Sequence, residues 1–140
     1  MRIDRAFPLD NPAIEIPWRI TEAAFRKLLP GALEQVASGQ LRRRCRLLGG
    51  LEADLMFHFS HPGGQLREIE LLRFPTRHRV REFEDLQRRL EDLLGPGERL
   101  SPSLGMHPPG SRWRLGHLSV THEYYTATGT DHEKVRFVNG

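Results

Sequence analysis

Cysteine is almost missing from this chain. Cys45 stands alone, so no internal disulfide can form, which fits a reducing compartment. Lysine is nearly as scarce: of 21 basic residues, all but Lys27 and Lys134 are arginine. No apolar run approaches the roughly 20 residues needed to cross a bilayer. The opening MRIDRAFPLDN lacks the charged-then-apolar pattern of a secretory signal, so a cytoplasmic chain without membrane contact is expected. Signatures of chemistry are missing too. The seven histidines form no His-Glu-x-x-His motif, there is no cysteine pair, and no Asp-rich loop has calcium spacing. Gly49-Gly50 and Gly63-Gly64 join strand to strand instead of opening a helix, which excludes a phosphate-cradling loop. Ser60 and Ser119 have no glycine-flanked elbow to expose them as nucleophiles. No residue is therefore assigned a catalytic or metal-binding role, no cofactor is expected, and the chain reads as a non-enzyme.

What is present is the composition of a globular domain. The 140 residues are 38% hydrophobic and 28% charged, enough for a single domain, 1–140, with a real core. The net charge of +3 is small and dispersed, and most arginines have acidic neighbours at pairing distance. Nucleic-acid binding is disfavoured, since it wants an arginine surplus on one face with aromatics interleaved.

The richest segment is Leu41 to Phe59, LRRRCRLLGGLEADLMFHF, whose two alternating strands settle their own register. A two-residue Gly49-Gly50 turn would set Arg46 opposite Ala53 and Arg44 opposite Leu55. A three-residue loop, Leu48-Gly49-Gly50, instead pairs Leu47 with Leu51, Cys45 with Ala53, Arg46 with Glu52 and Arg44 with Asp54. Apolar faces then coincide and charges neutralise across strands, which favours a type I turn with Gly50 as a left-handed bulge. A third strand, about Leu66 to Phe74, continues the meander by pairing Phe57 with Ile69, Leu55 with Leu71 and His58 with Glu68. Cys45 faces inward as a small buried hydrophobe.

Upstream, Pro8, Pro12 and Pro17 leave room for one short extended edge piece near Ala13 to Ile16. Thr21 caps a helix with Ala24, Phe25, Leu28 and Leu29 on one stripe. Pro30-Gly31 stops it, or Pro30 opens a second short helix carrying Leu33 and Val36. The clearest helix runs from Arg79 to Leu94, with Val80, Phe83, Leu86, Leu90, Leu93 and Leu94 in its stripe and Gly95-Pro96 as its stop. Its outer face pairs Arg81 with Asp85, Glu84 with Arg88 and Arg88 with Asp92. A Pro/Gly-rich loop spans about 95–111, long for a compact domain. Strands at about Arg112 to Tyr125, with a bulge at Gly116, and Glu133 to Val138 follow, joined by a turn at Thr128-Gly129-Thr130-Asp131. The predicted architecture is α+β: one antiparallel sheet of about five strands with two helices packed on one face.

The candidate contact surface gathers the loop and the aromatics around it: Met106, His107, Arg112, Trp113, Tyr124 and Tyr125. Trp, Tyr and Arg are enriched where proteins bind proteins, and one of two adjacent tyrosines on a strand must point outward. The string from Phe83 through Leu86, Leu90 and Leu94 to Gly95-Pro96, followed by Trp113, Gly116, Leu118 and Val120, resembles small bacterial immunity-type proteins of toxin–immunity systems. The likeness covers about forty residues. It implies a module that binds a cognate toxin or effector and blocks it by steric occlusion. The competing expectation is a small-molecule binder or enzyme, with a pocket between sheet and helices that uses His58, Glu68 and His122. A nucleic-acid binder would require Arg42, Arg44 and Arg46 to be unpaired. The sequence does not specify an oligomeric state.

Overall fold

The computed structural model describes residues 3–11, 13–29, 31–73, 76–100 and 109–140, Ala127 by its backbone alone. It corrects the predicted architecture. The described residues form ten strands in two sheets, of two and eight strands, with two helices, so the chain is mostly β. The strands are β1 (Ala6–Leu9), β2 (Ile14–Pro17), β3 (Glu34–Ala37), β4 (Gln40–Leu47), β5 (Leu51–Phe59), β6 (Leu66–Arg73), β7 (Glu98–Arg99), β8 (Ser111–Leu115), β9 (Leu118–Ala127) and β10 (Thr130–Asn139). The helices are α1 (Glu22–Leu28) and α2 (Arg79–Leu94).

The large sheet has the order β3-β4-β5-β6-β10-β9-β8-β7. Each half is a helix followed by four strands joined as an antiparallel meander. The last strand of each half, β6 and β10, meet at the centre with Leu71 opposite Val135 and Ile69 opposite Phe137. The chain thus lays the same αββββ topology down twice.

Alternation assigns the two faces of this sheet. Leu41, Cys45 and Leu47 on β4, Ala53, Leu55 and Phe57 on β5, Ile69 and Leu71 on β6, Val135 and Phe137 on β10, and Leu118 and Val120 on β9 are all buried on one side. Both helices and the small sheet cover that side. Phe25 of α1 packs on Phe57 and Phe59 at ring separations of 4.7 and 5.4 Å. Phe7 of β1 meets Phe137 edge-on at 4.9 Å, and Phe83 of α2 lies on His122 of β9. Each phenyl ring removed from water contributes about 1.5–3 kcal/mol, which is what holds short α1 in place.

The central register follows the expectation pair by pair: Leu47 with Leu51, Cys45 with Ala53, Arg46 with Glu52 and Arg44 with Asp54, then Phe57 with Ile69, Leu55 with Leu71 and His58 with Glu68. The turn between β4 and β5 differs. Leu48 and Gly49 both have positive φ, 53° and 80°, and Gly50 N–H donates to the Leu47 carbonyl, which is a type I′ geometry in place of type I. Asp10 Oδ2 accepts from both Gly49 and Gly50 N–H at 2.8 Å. That clamp offsets the strain of Leu48 in the left-handed region.

The other differences have local causes. The proline-broken start forms the β1–β2 hairpin, since Pro8 and Pro17 lie in a two-stranded sheet where few ladder donors are needed. The segment carrying Leu33 and Val36 runs into edge strand β3 instead of a short helix. Leu28 of α1 is exposed. The loop predicted at 95–111 contains β7, paired with β8. What read as one strand with a bulge at Gly116 is a hairpin, β8–β9, turning at Gly116-His117 with Leu115 opposite Leu118; Gly116 adopts φ 60°. On α2, Asp85 engages Arg89 at 2.9 Å and Arg88 at 3.8 Å, where spacing alone had paired it with Arg81.

Candidate functional site

Two polar constellations stand out, one on each face of the large sheet. Beneath α2, β9 turns His122 inward and β10 turns Glu133 inward, and both are almost wholly buried. His122 Nε2 lies 2.7 Å from Glu133 Oε2, and its Nδ1 lies 2.8 Å from Gln87 Oε1 of α2. Phe83 stacks on the imidazole at 4.0 Å. Arg73 Nε and Nη2 donate to Glu133 Oε1, and Nη2 also donates to the Glu82 carbonyl. Gln87 Nε2 donates to Glu91 and to Ser111 Oγ of β8. Burial pushes the His122 pKa down, opposed by the Glu133 carboxylate beside it. The network thus ties α2 to β6, β8, β9 and β10.

The opposite face is covered by no element of the described chain and carries charges of alternating sign. Arg46 donates to Glu52 at 2.8 Å, and Arg42 to Glu34 at 2.7 Å. Arg44 sits between Asp54 and Glu52 at 3.7 and 3.9 Å, too far for hydrogen bonds. At the centre, Arg136 grips Glu68 with two bonds of 3.0 and 2.9 Å, and Lys134 reaches Glu70 at 3.0 Å. Burial pushes the Glu68 carboxyl up, but the Arg136 bonds outweigh it and hold it below the usual range. His58 Nε2 is 2.5 Å from Glu70 Oε1, a contact without hydrogen-bond alignment. Among the described residues, His58, Glu68 and Glu70 are the group placed to hold a cation, each offering an atom within 4.8 Å of the others. Lys134 and Arg136 already neutralise both carboxylates, so the group behaves as an ion-pair network.

Beside that network the open face forms a groove of about 600 Å³. Met56, Leu72 and Tyr125 supply its apolar walls, and His132 stacks on Tyr125 at 5.2 Å. Arg42, Arg44 and Asp54 line its rim, and Arg73 and Glu133 also border it. Leu72 is 41% exposed and lies with Met56 and Tyr125 in one groove, so the three form an apolar patch beside the charged pairs. A cavity of about 530 Å³ also lies between α2 and the β4–β5 turn, lined by Pro8, Leu48, Arg89 and Leu93.

The expected contact residues are scattered by this arrangement. Trp113 and Tyr124 are 4% and 3% exposed, which removes both from any surface. Trp113 Nε1 donates to the Gly95 carbonyl at 2.7 Å and so fastens the end of α2 to β8. Tyr124 hydroxyl donates to Asp131, and burial with that bond pushes its pKa up to about 12. Arg112 is partly buried and pairs with Glu98 at 3.3 Å. Tyr125 does face outward, in the groove. Met106 and His107 lie outside the described residues. The trio His58, Glu68 and His122 is split, with the first two on the open face and His122 beneath α2. Cys45 is buried, which pushes its thiol pKa up.

Sequence reasoning missed Leu72, Met56 and His132. Outward positions on β5 and β6 follow directly from the register, so apolar Met56 and Leu72 on the face of Glu68 and Glu70 are a legible signal, whereas His132 reaches that face only through the pairing of β10 with β6. Comparison of the chain with protein-family models, with curated proteins and with solved structures returned no match.

Proposed function

We propose that this protein is a binding module without chemistry of its own that docks one partner protein on the open face of its eight-stranded sheet. The carrying observation is the groove of Met56, Leu72 and Tyr125 set beside the ion pairs of that face. Apolar anchors surrounded by polar residues are the arrangement from which binding hot spots are built. The rim specifies the partner's chemistry. Arg44, 62% exposed in its side chain and outside hydrogen-bond distance of Asp54 and Glu52, retains donors for an incoming carboxylate. The fitting occupant is a segment with an aliphatic or aromatic side chain next to an acidic one, in keeping with the net charge of +3. A toxin or effector blocked by occlusion is the particular form suggested by the helix–loop–strand resemblance.

Expressed in its native host, the chain should co-purify with one stoichiometric protein. Leu72→Arg and Tyr125→Ala should each weaken that complex more than about tenfold while leaving the circular dichroism spectrum unchanged, as expected for anchor residues. Full affinity in both variants would sink this placement. Saturable binding of a small molecule in the groove would favour the competing class.

A further inference from the structure

The buried network under α2 contains a hydrogen-bonding conflict. Both ring nitrogens of His122 face an oxygen, Glu133 Oε2 at 2.7 Å and Gln87 Oε1 at 2.8 Å. Only a doubly protonated ring can donate to both. A neutral ring has one bare nitrogen, which needs a donor. Gln87 can supply it by turning its amide end for end, because its two ends are nearly equal in size. The turned amide would place its oxygen towards Ser111 Oγ and Glu91, 2.9 and 2.8 Å away. Ser111 can answer by donating its hydroxyl proton. Glu91 is exposed and can swing into water.

We infer that His122 and Gln87 form a two-position proton switch between the sheet and α2. With one proton on the ring, Nε2–H donates to Glu133 and the Gln87 amide donates to Nδ1. With two, Nδ1–H donates to the Gln87 oxygen, and the amide donates to Glu91 and Ser111. Each position gives both ring nitrogens a partner, so the ring can hold one proton or two without leaving a bare nitrogen or an unpaired N–H in the buried site. The neighbouring charges are arranged for this. Glu133 of β10 faces the ring directly, Arg73 of β6 holds the far oxygen of Glu133, and Glu123 of β9 adds a negative charge nearby. From α2 the ring meets Phe83, Gln87 and, through Gln87, Glu91. From β8 it meets Ser111, its cross-strand partner. The output is the hydrogen bonding of α2 to the start of β8, which changes direction when one proton is taken up. This inference stands independently of the docking reading, since every group in it lies within the chain.

Nitrogen-15 spectra of the full-length protein, recorded from about pH 8 to about pH 5 across the histidine range, test it. At the alkaline end, His122 should be the Nε2–H tautomer, with a Gln87 amide proton correlated across the hydrogen bond to Nδ1. On acidification that correlation should vanish, and the Gln87 side-chain signals should move with the same midpoint as the ring. In Gln87→Glu the ring meets a group that accepts at either oxygen, so its proton affinity should rise at least about tenfold. An Nδ1–H tautomer at neutral pH would overturn the inference. So would a Gln87 amide indifferent to ring titration, a ring that stays neutral until the protein unfolds, or a Gln87→Glu midpoint equal to that of the parent.

Discussion

Arg73–Glu133 and Arg46–Glu52 are the same chemical pair on opposite sides of one sheet, yet they do different work. Glu133 is 1% exposed and shares its carboxylate between a guanidinium and a buried imidazole. Glu52 is 53% exposed and has water as an alternative partner. A charge removed from water must be matched within the protein, so losing its partner is costly. A charge left in water is already matched, and its pairing adds little. The covered face therefore uses ions to fix α2 against four strands. At Arg46 and Glu52 the open face keeps its ions in water, while at its centre Glu68 and Glu70 are more sheltered, and the Leu72–Met56–Tyr125 groove interrupts the charges.

Breaking the buried side should have the largest effect. Glu133→Gln leaves Arg73 and His122 without their carboxylate and should lose about 3–5 kcal/mol, the usual penalty for breaking a buried ion pair, read by urea denaturation. Trp113→Ala should follow closely, at about 3–5 kcal/mol for emptying a large aromatic site. Trp113→Phe should cost less, because it keeps much of the ring packing and loses chiefly the bond to the Gly95 carbonyl. An alanine variant as stable as the parent would return Trp113 to the list of surface residues.

The third expected effect is a pH dependence. The folded-state pKa of His122 is below its unfolded value, so the unfolded chain binds more protons in the window beneath about pH 6.5. The stability contributed by neutral His122 is complete above that point and falls as the pH drops towards the folded pKa. Its slope is no steeper than about 1.4 kcal/mol per pH unit, the limit for one proton. Subtracting the curve of His122→Gln from that of the parent isolates it from carboxylates that titrate at lower pH. A flat difference would contradict the burial argument. Smallest of all, a double-mutant cycle on Arg46→Ala and Glu52→Ala should be additive within error. A resolved coupling there would mean the open face is more sheltered than its exposure indicates.

The same contrast explains what was legible in the sequence. Where one face is buried and the other solvated, alternation carries the register, and β4, β5 and β6 pair as Leu41 to Leu71 dictate. Strand β3 has every residue exposed and β7 is two residues long, so neither has a pattern to read. The β8–β9 turn did leave a trace, since the buried parity switches from odd at Trp113 to even at Leu118 and Val120. A two-residue hairpin produces that switch, and the bulge expected at Gly116 was the wrong account of it. The site was harder to read. Trp113 and Tyr124 have the composition of contact residues, but each points into the core, and composition carries no direction. His122 and Glu133 are buried polar residues brought together by the pairing of β9 with β10, whose register the sequence reading had not worked out.

The docking account is tested most directly by placing a photo-crosslinking amino acid, one position at a time, at Tyr125 and Leu72 in the groove and at Val80 on exposed α2, with each variant expressed in the native host. The account predicts one discrete protein adduct from both groove positions and none from Val80. An adduct from Val80 with none from Tyr125 or Leu72 would contradict it.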